Sequence, residues 1–273
     1  MSQPIALTVL LKSCWMAIAT RNDSHAALAL RALRAGRAVF VEKPLCVSQE
    51  ELCDFAKQFS ALREEGLQPM LMVGFNRRFA PATAIVKEFF GPETRGLCIQ
   101  YRINAGKLPD DSWVGAAEQG GGRIVSEMCH FLDLAAYFAA GRPITISATR
   151  GATTDDCVIV LEFDNNALAT IGFYSGGDRS YSKERVEIFG SSKVAVIEDF
   201  RRVWLIKDGK TKRYGHPWSS SDKGHSAEIA SFCRAVEGRG GAPLLDDAIR
   251  ATRLTFAALE SLKLNGPVRL EAS

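Results

Sequence analysis

An apolar run of four residues, Ala38–Val41, ends abruptly in Glu42-Lys43-Pro44. β-Branched and aromatic residues bounded by a glycine and a proline are typical of a buried strand. Because Pro44 cannot donate to a β-ladder, we expect the strand to end here, with Lys43 at its carboxyl end. The residue before a proline is held in extended geometry, so the backbone directs the Lys43 side chain. This edge of an open α/β sheet is where ligands bind.

Strand and helix patterns alternate on both sides of this run. Residues 14–19 and 69–73 are predicted strands, and helices are predicted before and after Ala38–Val41. This alternation is typical of a parallel doubly wound sheet. Its three strand ends carry the polar clusters Thr20-Arg21-Asn22, Glu42-Lys43-Pro44 and Asn76-Arg77-Arg78. We expect these clusters to meet at one edge of the sheet.

The pattern changes after Gly91-Pro92. Short β segments follow, separated by turn signals such as Asp164-Asn165-Asn166 and Asp208-Gly209, and two helices close the chain. This arrangement predicts a meandering, mostly antiparallel sheet. The predicted fold class is therefore α/β plus α+β, with a parallel sheet in residues 1–93 and a large, mostly antiparallel open sheet in residues 94–273.

Composition excludes several classes of protein. The 273 residues carry a net charge of only +3, from 34 basic and 31 acidic side chains, which argues against a nucleic acid or membrane partner. Seven scattered cysteines without a Cys-x-x-Cys pair are typical of a reducing compartment. The first apolar stretch is too short to span a bilayer and lacks the charge pattern of a signal peptide. We expect a cytoplasmic protein.

Four blocks of polar and glycine residues occur in a characteristic order. They are Thr20–His25, Glu42-Lys43-Pro44, Gly74–Phe79, and Gly120-Gly121-Gly122 leading to His130 and Asp133. Together they resemble the Gfo/Idh/MocA oxidoreductases. The resemblance implies a Rossmann-like nucleotide-binding domain in residues 1–93, an α+β substrate and oligomerisation domain in residues 94–273, and NAD or NADP as the cofactor. The runs Ser175–Arg179 and Lys183–Arg185 look like the reductase half of two-part proteins that also carry a zinc alcohol-dehydrogenase half.

The chain departs from this family at its start. The family begins with a strand and a glycine-rich turn that holds the dinucleotide pyrophosphate, whereas the first glycine here is Gly36. By comparison, an opening βαβ unit of roughly 30 or more residues is missing. We expect either a fragment or misplaced start, or a truncated paralogue in which cofactor binding is impaired. The residue that selects NAD or NADP belongs to this missing unit.

A second departure concerns the acid beside the catalytic histidine. The family usually places an aspartate four residues before it, where this chain has Ser126, and the nearest acid is Glu127. On an α-helix a residue three positions before His130 shares its face, so Glu127 is a candidate for the assisting acid. Glu-x-x-His is also a metal-ligand spacing, but such sites need a second copy and further carboxylates. No metal is predicted.

The resemblance implies catalytic roles for three residues: Lys43, His130 and Glu127. Lys43 would lie near the nicotinamide and the reacting hydroxyl, and His130 would act as general base or acid. The alternatives are a solvated lysine at a strand end and a core histidine whose hydrogen bonds are satisfied by the protein.

Further contacts are predicted on the same basis. The predicted cofactor-binding residues are Thr20, Asn22, His25, Glu42, Lys43, Pro44 and Arg77. Capping and turn chemistry is the alternative for Thr20, Asn22 and His25, an ion pair for Glu42, and pairing with Glu88 or Glu93 for Arg77. The predicted substrate-binding residues are Tyr101, Trp113 and Asp133, since aromatic faces and carboxylates suit hydroxyl-rich ligands. For Asp133 the alternative is a structural hydrogen bond.

Two functions follow from these expectations. The first is an NAD(P)-dependent oxidoreductase that interconverts an alcohol and a carbonyl on a sugar, sugar nucleotide or polyol. The second is a catalytically silent sugar-binding or assembly subunit that has lost the phosphate-binding turn. Either protein is expected to form a homo-oligomer through the antiparallel sheet.

Overall fold

The computed structural model describes residues 15–92, 94–107, 122–151, 153, 155–216, 218–240 and 245–271. Within these ranges the chain forms one sheet of three strands and one of nine. The first part contains, in chain order, β1 (Trp15–Ile18), α1 (His25–Arg34), β2 (Ala38–Val41), α2 (Gln49–Glu64), β3 (Leu71–Val73) and α3 (Pro81–Phe90). Strands β1, β2 and β3 are adjacent and parallel, which confirms the predicted α/β pattern.

The carboxyl ends of these three strands are level. Ile18 pairs with Val41, and Val41 pairs with Val73, so each strand stops at the same edge of the sheet. The chain then forms 3-10 turns at Asn22–Ser24 after β1 and at Asn76–Phe79 after β3. The polar clusters that follow the three strands are therefore neighbours, as the sequence pattern predicts.

The helix ends follow their sequence signals with one exception. Ser48 Oγ accepts a hydrogen bond from the Glu51 N–H at 3.1 Å, which caps α2 as the spacing predicts. Gly36 follows α1 with a φ of +69°, the left-handed conformation that favours glycine after a helix. Ser24 precedes α1, but its hydroxyl donates to the Arg21 carbonyl instead of capping the helix.

The second part is built on the nine-stranded sheet, in the order β11-β10-β9-β8-β4-β7-β6-β5-β12. Its elements are β4 (Cys98–Asn104), a π-helical turn (Ile124–Met128), α4 (Cys129–Ala139), β5 (Pro143–Arg150), β6 (Cys157–Phe163), β7 (Leu168–Tyr174), β8 (Glu184–Gly190), β9 (Lys193–Glu198), β10 (Arg202–Lys207), β11 (Lys210–Gly215), α5 (His225–Val236), α6 (Leu245–Leu264) and β12 (Val268–Arg269). All neighbours pair antiparallel except β4 and β7, which are parallel. The predicted mostly antiparallel sheet is confirmed, while β12 is too short for its pattern to be recognised.

The two faces of the large sheet differ. One face packs against α4 and α6 in a core that includes Tyr101, Phe131 and Phe173. On the other, Leu168 on β7 and Phe189 on β8 are both paired with Cys98 of β4, and their side chains are exposed. Apolar side chains that stay exposed on a sheet face are typical of an interaction surface. The predicted homo-oligomer through this sheet stays a prediction.

The last two helices return to the first sheet. Phe232 of α5 packs edge-on against Trp15 and Phe40, with ring centroids 5.8 and 5.7 Å apart. Leu245 and Ala248 of α6 belong to the same core as the first strands and helices. Part of the predicted segment 94–273 therefore covers the parallel sheet and joins the two halves of the molecule. In the part of the chain that the structure describes, no helix is long and apolar enough to cross a membrane.

Candidate functional site

Lys43 connects the two halves of the molecule at the edge where β2 ends. Its Nζ donates to the backbone carbonyl of Ser126 at 2.7 Å, across 83 positions of sequence. The Lys43–Pro44 peptide bond is cis. Ser126 lies in the π-helical turn before α4, and such turns occur frequently at functional sites because they leave backbone groups outside the regular helical ladder. The lysine side chain is therefore held toward the start of α4.

Asn22 holds the same residue from the neighbouring strand end. Its side-chain amide donates to Ser126 Oγ at 3.0 Å, and Asn22 is buried. Ser126 thus receives one contact from the end of β1 and one from the end of β2. The position at which the family usually has an aspartate is a point of attachment between the two sheets.

His130 lies four residues after Ser126. Its Nδ1 is buried and has no hydrogen-bond partner among the described residues. The ring packs edge-on against Phe75, with centroids 6.1 Å apart. Burial, followed by the positive charges of Arg77 and Lys43, lowers the pKa of His130 well below its ordinary value. The imidazole is therefore neutral at physiological pH and able to accept a proton.

Glu127 does not join His130. Its carboxylate accepts a hydrogen bond from Arg123 Nε at 2.7 Å, and in the described chain no bond links it to the histidine. The prediction that the two share a face assumed an α-helical register, whereas this turn is π-helical and rotates successive side chains by a smaller angle. Arg123 also donates to the Gly106 carbonyl at 2.8 Å, so Glu127 belongs to a structural network.

A second buried network centres on Glu184, at the start of β8. Both of its oxygens accept from the Arg77 guanidinium at 2.8 Å, and one accepts from the Tyr101 hydroxyl at 2.5 Å. Lys223 Nζ donates to the other at 2.5 Å. Burial opposes ionisation, but the Arg77 and Lys223 charges outweigh it and hold the pKa of Glu184 well below its usual range.

This network corrects two predictions. Arg77 was expected to contact the cofactor, but its buried guanidinium is committed to Glu184 as a two-bond fork. Of its predicted alternative partners, Glu88 makes no ion pair with it in the described chain, and Glu93 lies outside the described residues. Tyr101 was expected to line a sugar pocket, but its side chain is fully buried behind Glu184.

Asp133 is corrected in the same way. It is fully buried, and its two oxygens accept from Arg78 at 2.5 and 2.7 Å. Arg78 also pairs with Asp247 of α6 at 2.5 Å. Burial raises the pKa of Asp133 to about 6 although the Arg78 charge opposes the shift. The structural hydrogen bond, and not the substrate contact, describes this residue.

The strand-end residues His25 and Glu42 differ in their surroundings. His25 is buried, and its Nδ1 and Nε2 lie 2.8 Å from the Pro44 carbonyl and 3.2 Å from the Thr20 carbonyl. Both ring nitrogens lie within hydrogen-bonding distance of backbone carbonyls, so His25 positions these strand ends, and its predicted contact with the cofactor stays a prediction. Glu42 lies against Gly74, where a Cβ atom would come within 3.2 Å of its Oε2. Trp113 lies outside the described residues.

Sequence reasoning missed the residues that support this site. Ser126 was noted only as a departure from the family, and Glu184 and Lys223 were not assigned to the site. Their contacts join positions that are far apart in the chain, such as Arg77 and Glu184 at a separation of 107 residues. No local periodicity or capping signal marks such pairs.

Two family models match the chain. The NAD-binding Rossmann fold of the oxidoreductase family matches residues 12–75, and the GFO/IDH/MocA C-terminal domain matches residues 95–196. Together they span more than half of the sequence, in the order of the two sheets. The chain belongs to the Gfo/Idh/MocA oxidoreductase family.

Relatives of this Gfo/Idh/MocA protein are spread over several bacteria. It is 28% identical to an inositol 2-dehydrogenase of Rhizobium meliloti, over 90% of this chain and 77% of that protein. It is 26% identical to a scyllo-inositol 2-dehydrogenase (NAD(+)) of Bacillus subtilis, over 93% and 77%. An oxidoreductase from Agrobacterium radiobacter, solved in complex with NAD+, L-tartaric acid and magnesium, shares the fold, with a TM-score of 0.78 and 18% identity over 94% of this chain and 80% of that one.

Membership in this family makes the chain an NAD-dependent oxidoreductase. The strand ends fit the nicotinamide part of the cofactor, because Lys43 and Thr20 are only half-buried there and His130 Nδ1 is a polar atom without a protein partner. The resemblance to one half of a two-part protein and the missing opening unit stay predictions.

Proposed function

We propose that this protein interconverts a secondary alcohol and a ketone on a polyol of the cyclitol or sugar class, with NAD as the hydride carrier. The observation that supports this most directly is the convergence of Lys43 and the helix of His130 on Ser126. The relatives named as inositol dehydrogenases act on substrates of this class. A polyol site needs polar groups that handle a hydroxyl proton, and these two side chains are suited to that task.

Each residue has a distinct part in the proposed reaction. Bound NAD+ supplies the hydride acceptor at its nicotinamide ring. Lys43 uses one N–H on the Ser126 carbonyl and retains others for the substrate oxygen, where negative charge develops as the proton leaves. His130, neutral and only partly exposed to solvent, accepts the hydroxyl proton and returns it when the ketone is reduced.

Ser126 changes the electrostatics of this proposed site. An aspartate at this position would stabilise a protonated His130, whereas a serine hydroxyl held by Asn22 carries no charge. The cations Arg77 and Lys43 further oppose protonation. His130 is therefore a weak base that stays available over the whole neutral pH range.

The catalytically silent alternative is not favoured. A subunit that only binds sugar needs no neutral, partly buried histidine near a lysine at the sheet edge. NADH and NADPH titrations followed by nicotinamide fluorescence, then oxidation of a panel of cyclitols and sugars followed by NADH absorbance, test the proposal. We expect NADH binding and turnover of at least one polyol. Failure to bind NADH at about 1 mM, the upper end of ordinary Michaelis constants, would contradict it.

A further inference from the structure

A basic groove opens beside the candidate site. Its volume is about 580 Å³, and it lies between the segment that leads into β8, the β9–β10 turn and the loop before α5. Five of its lining residues are basic and two are acidic; the charged ones are Arg179, Lys183, Glu198, Asp199, Arg201, Arg202 and Lys223. The overall charge of the chain is only slightly positive, so this local excess is specific to the groove.

Both acids of the groove are engaged by other groups of the protein. Glu198 is paired with Arg202 on one side and with Arg185, at 3.5 Å, on the other. Asp199 Oδ1 accepts the backbone N–H of Glu184 at 2.8 Å. In the described ranges neither Lys183 nor Arg201 has an ion-pair partner within 4 Å, although both line the groove.

Lys223 connects the groove to the buried network beside the candidate site. Lys223 lines the groove and also donates to Glu184, which holds Arg77. The positive charge of Lys223 is one of those that lower the pKa of His130. On the same side, the charge of Lys183 interacts with Glu127, which follows Ser126. Lys223 and Lys183 therefore link the groove electrostatically to the turn and helix that carry Ser126 and His130.

We propose that this groove binds a phosphoryl group carried by the polyol substrate, with Lys183 and Arg201 as its principal ligands. The inference rests on the proposed function, because it concerns the distal part of the same substrate. Two cations without a close ion-pair partner, one of them a guanidinium with a planar fork of donors, match phosphate oxygens in charge and geometry. The groove volume falls in the range of small-molecule sites and exceeds what a single phosphate needs.

Direct binding of inorganic pyrophosphate tests this without relying on turnover. Calorimetric titration of the full chain, with and without NADH, should show salt-sensitive binding that persists when NADH is present. The double variant Lys183→Ala/Arg201→Ala should bind pyrophosphate at least about tenfold more weakly, since each substitution removes a charge-assisted contact. The double variant Lys57→Ala/Lys210→Ala is the matched control. It removes the same charge from α2 and from the far end of the β10–β11 hairpin, and should leave binding unchanged.

Three results would overturn the groove proposal: no pyrophosphate binding to the wild type, equal binding to the Lys183/Arg201 variant, or displacement by NADH, which would mean an adventitious ion in the cofactor site. A protein that binds NADH and oxidises a neutral polyol but does not bind pyrophosphate would support the proposed function and contradict only the groove proposal.

Uridine diphosphate distinguishes the source of the phosphate. Tighter binding than pyrophosphate supports a nucleotide-linked sugar, and equal binding supports a sugar phosphate.

Discussion

The side-chain amide of Asn22 donates to Ser126 Oγ at 3.0 Å, across 104 residues of sequence. This bond ties the end of the first strand to the turn that precedes His130. It also occupies a hydroxyl at the position where the family usually carries an aspartate. The site therefore has the histidine and the lysine of the family but an uncharged residue between them.

Ser126→Asp should raise the pKa of His130. A carboxylate near the histidine favours the imidazolium, so the acid limb of the kcat/KM profile should move to higher pH. The histidine NMR signals as a function of pH, assigned with a His130→Gln variant, measure the shift directly. Ser126→Ala is the control, because it removes the bond to Asn22 without adding a charge. A pKa in Ser126→Asp no higher than in the wild type would show that residue 126 does not control His130.

Lys43→Ala should reduce kcat by about 10²- to 10⁴-fold, the range for the loss of a proton-handling group. Its side chain is only half-buried, so the thermal midpoint should change little. Steady-state rates and circular dichroism melting separate the two effects. Lys57→Ala, an exposed lysine on α2, provides the comparison and should behave as wild type. Wild-type rates in Lys43→Ala would remove this lysine from the mechanism.

Glu228→Gln should stabilise the protein at alkaline pH. Glu228 is buried in α5 with Oε1 unpaired in the described chain, and burial, then Glu42 and Asp133, raises its pKa to about 8. The unfolded chain releases this proton near the ordinary pKa of 4.5, whereas the folded state holds it until about pH 8. The free energy of unfolding therefore falls as the pH rises from 4.5 to about 8. The gain at pH 8 should be about 2–4 kcal/mol.

Urea unfolding of the wild type and of Glu228→Gln at pH 5 and pH 8 checks the direction of this pH dependence. The difference in the free energy of unfolding between the two proteins should be small at pH 5 and large at pH 8. Glu237→Gln, an exposed glutamate after the same helix, is the control and should show no such difference. An equal effect of Glu228→Gln at both pH values would show that Glu228 is ionised in the folded state throughout.

Leu168→Asp should dissociate the predicted homo-oligomer. Leu168 lies with Phe189 on the open face of the large sheet, where both are paired with Cys98. A carboxylate there would have to be buried in any interface formed by this face, at a cost of several kcal/mol. Light scattering after size-exclusion chromatography measures the mass. Leu264→Asp alters a more exposed leucine, at the end of α6, and should keep the wild-type mass. An unchanged oligomer in Leu168→Asp would place the interface elsewhere.

Much of the fold follows from local pattern. The run Ala38–Val41, the cap at Ser48 and the glycine after α1 each act within a few residues, so periodicity and turn chemistry predict them. The parallel pairing of β4 with β7 could not be predicted in this way, because it joins segments separated by α4 and two strands. Which strand pairs with β4 depends on how the whole sheet packs.

The candidate site also has features that follow from the sequence and features that depend on the tertiary structure. The sequence alone determined that three polar strand ends meet at one edge, since residue type and spacing carry that information, and its resemblance to the family indicated Lys43 and His130 as the residues to examine. Only the tertiary structure decided that Arg77, Tyr101 and Asp133 are committed to buried networks, and that Glu127 pairs with Arg123. A buried charge must find a partner wherever the fold supplies one, and those partners lie in distant parts of the chain.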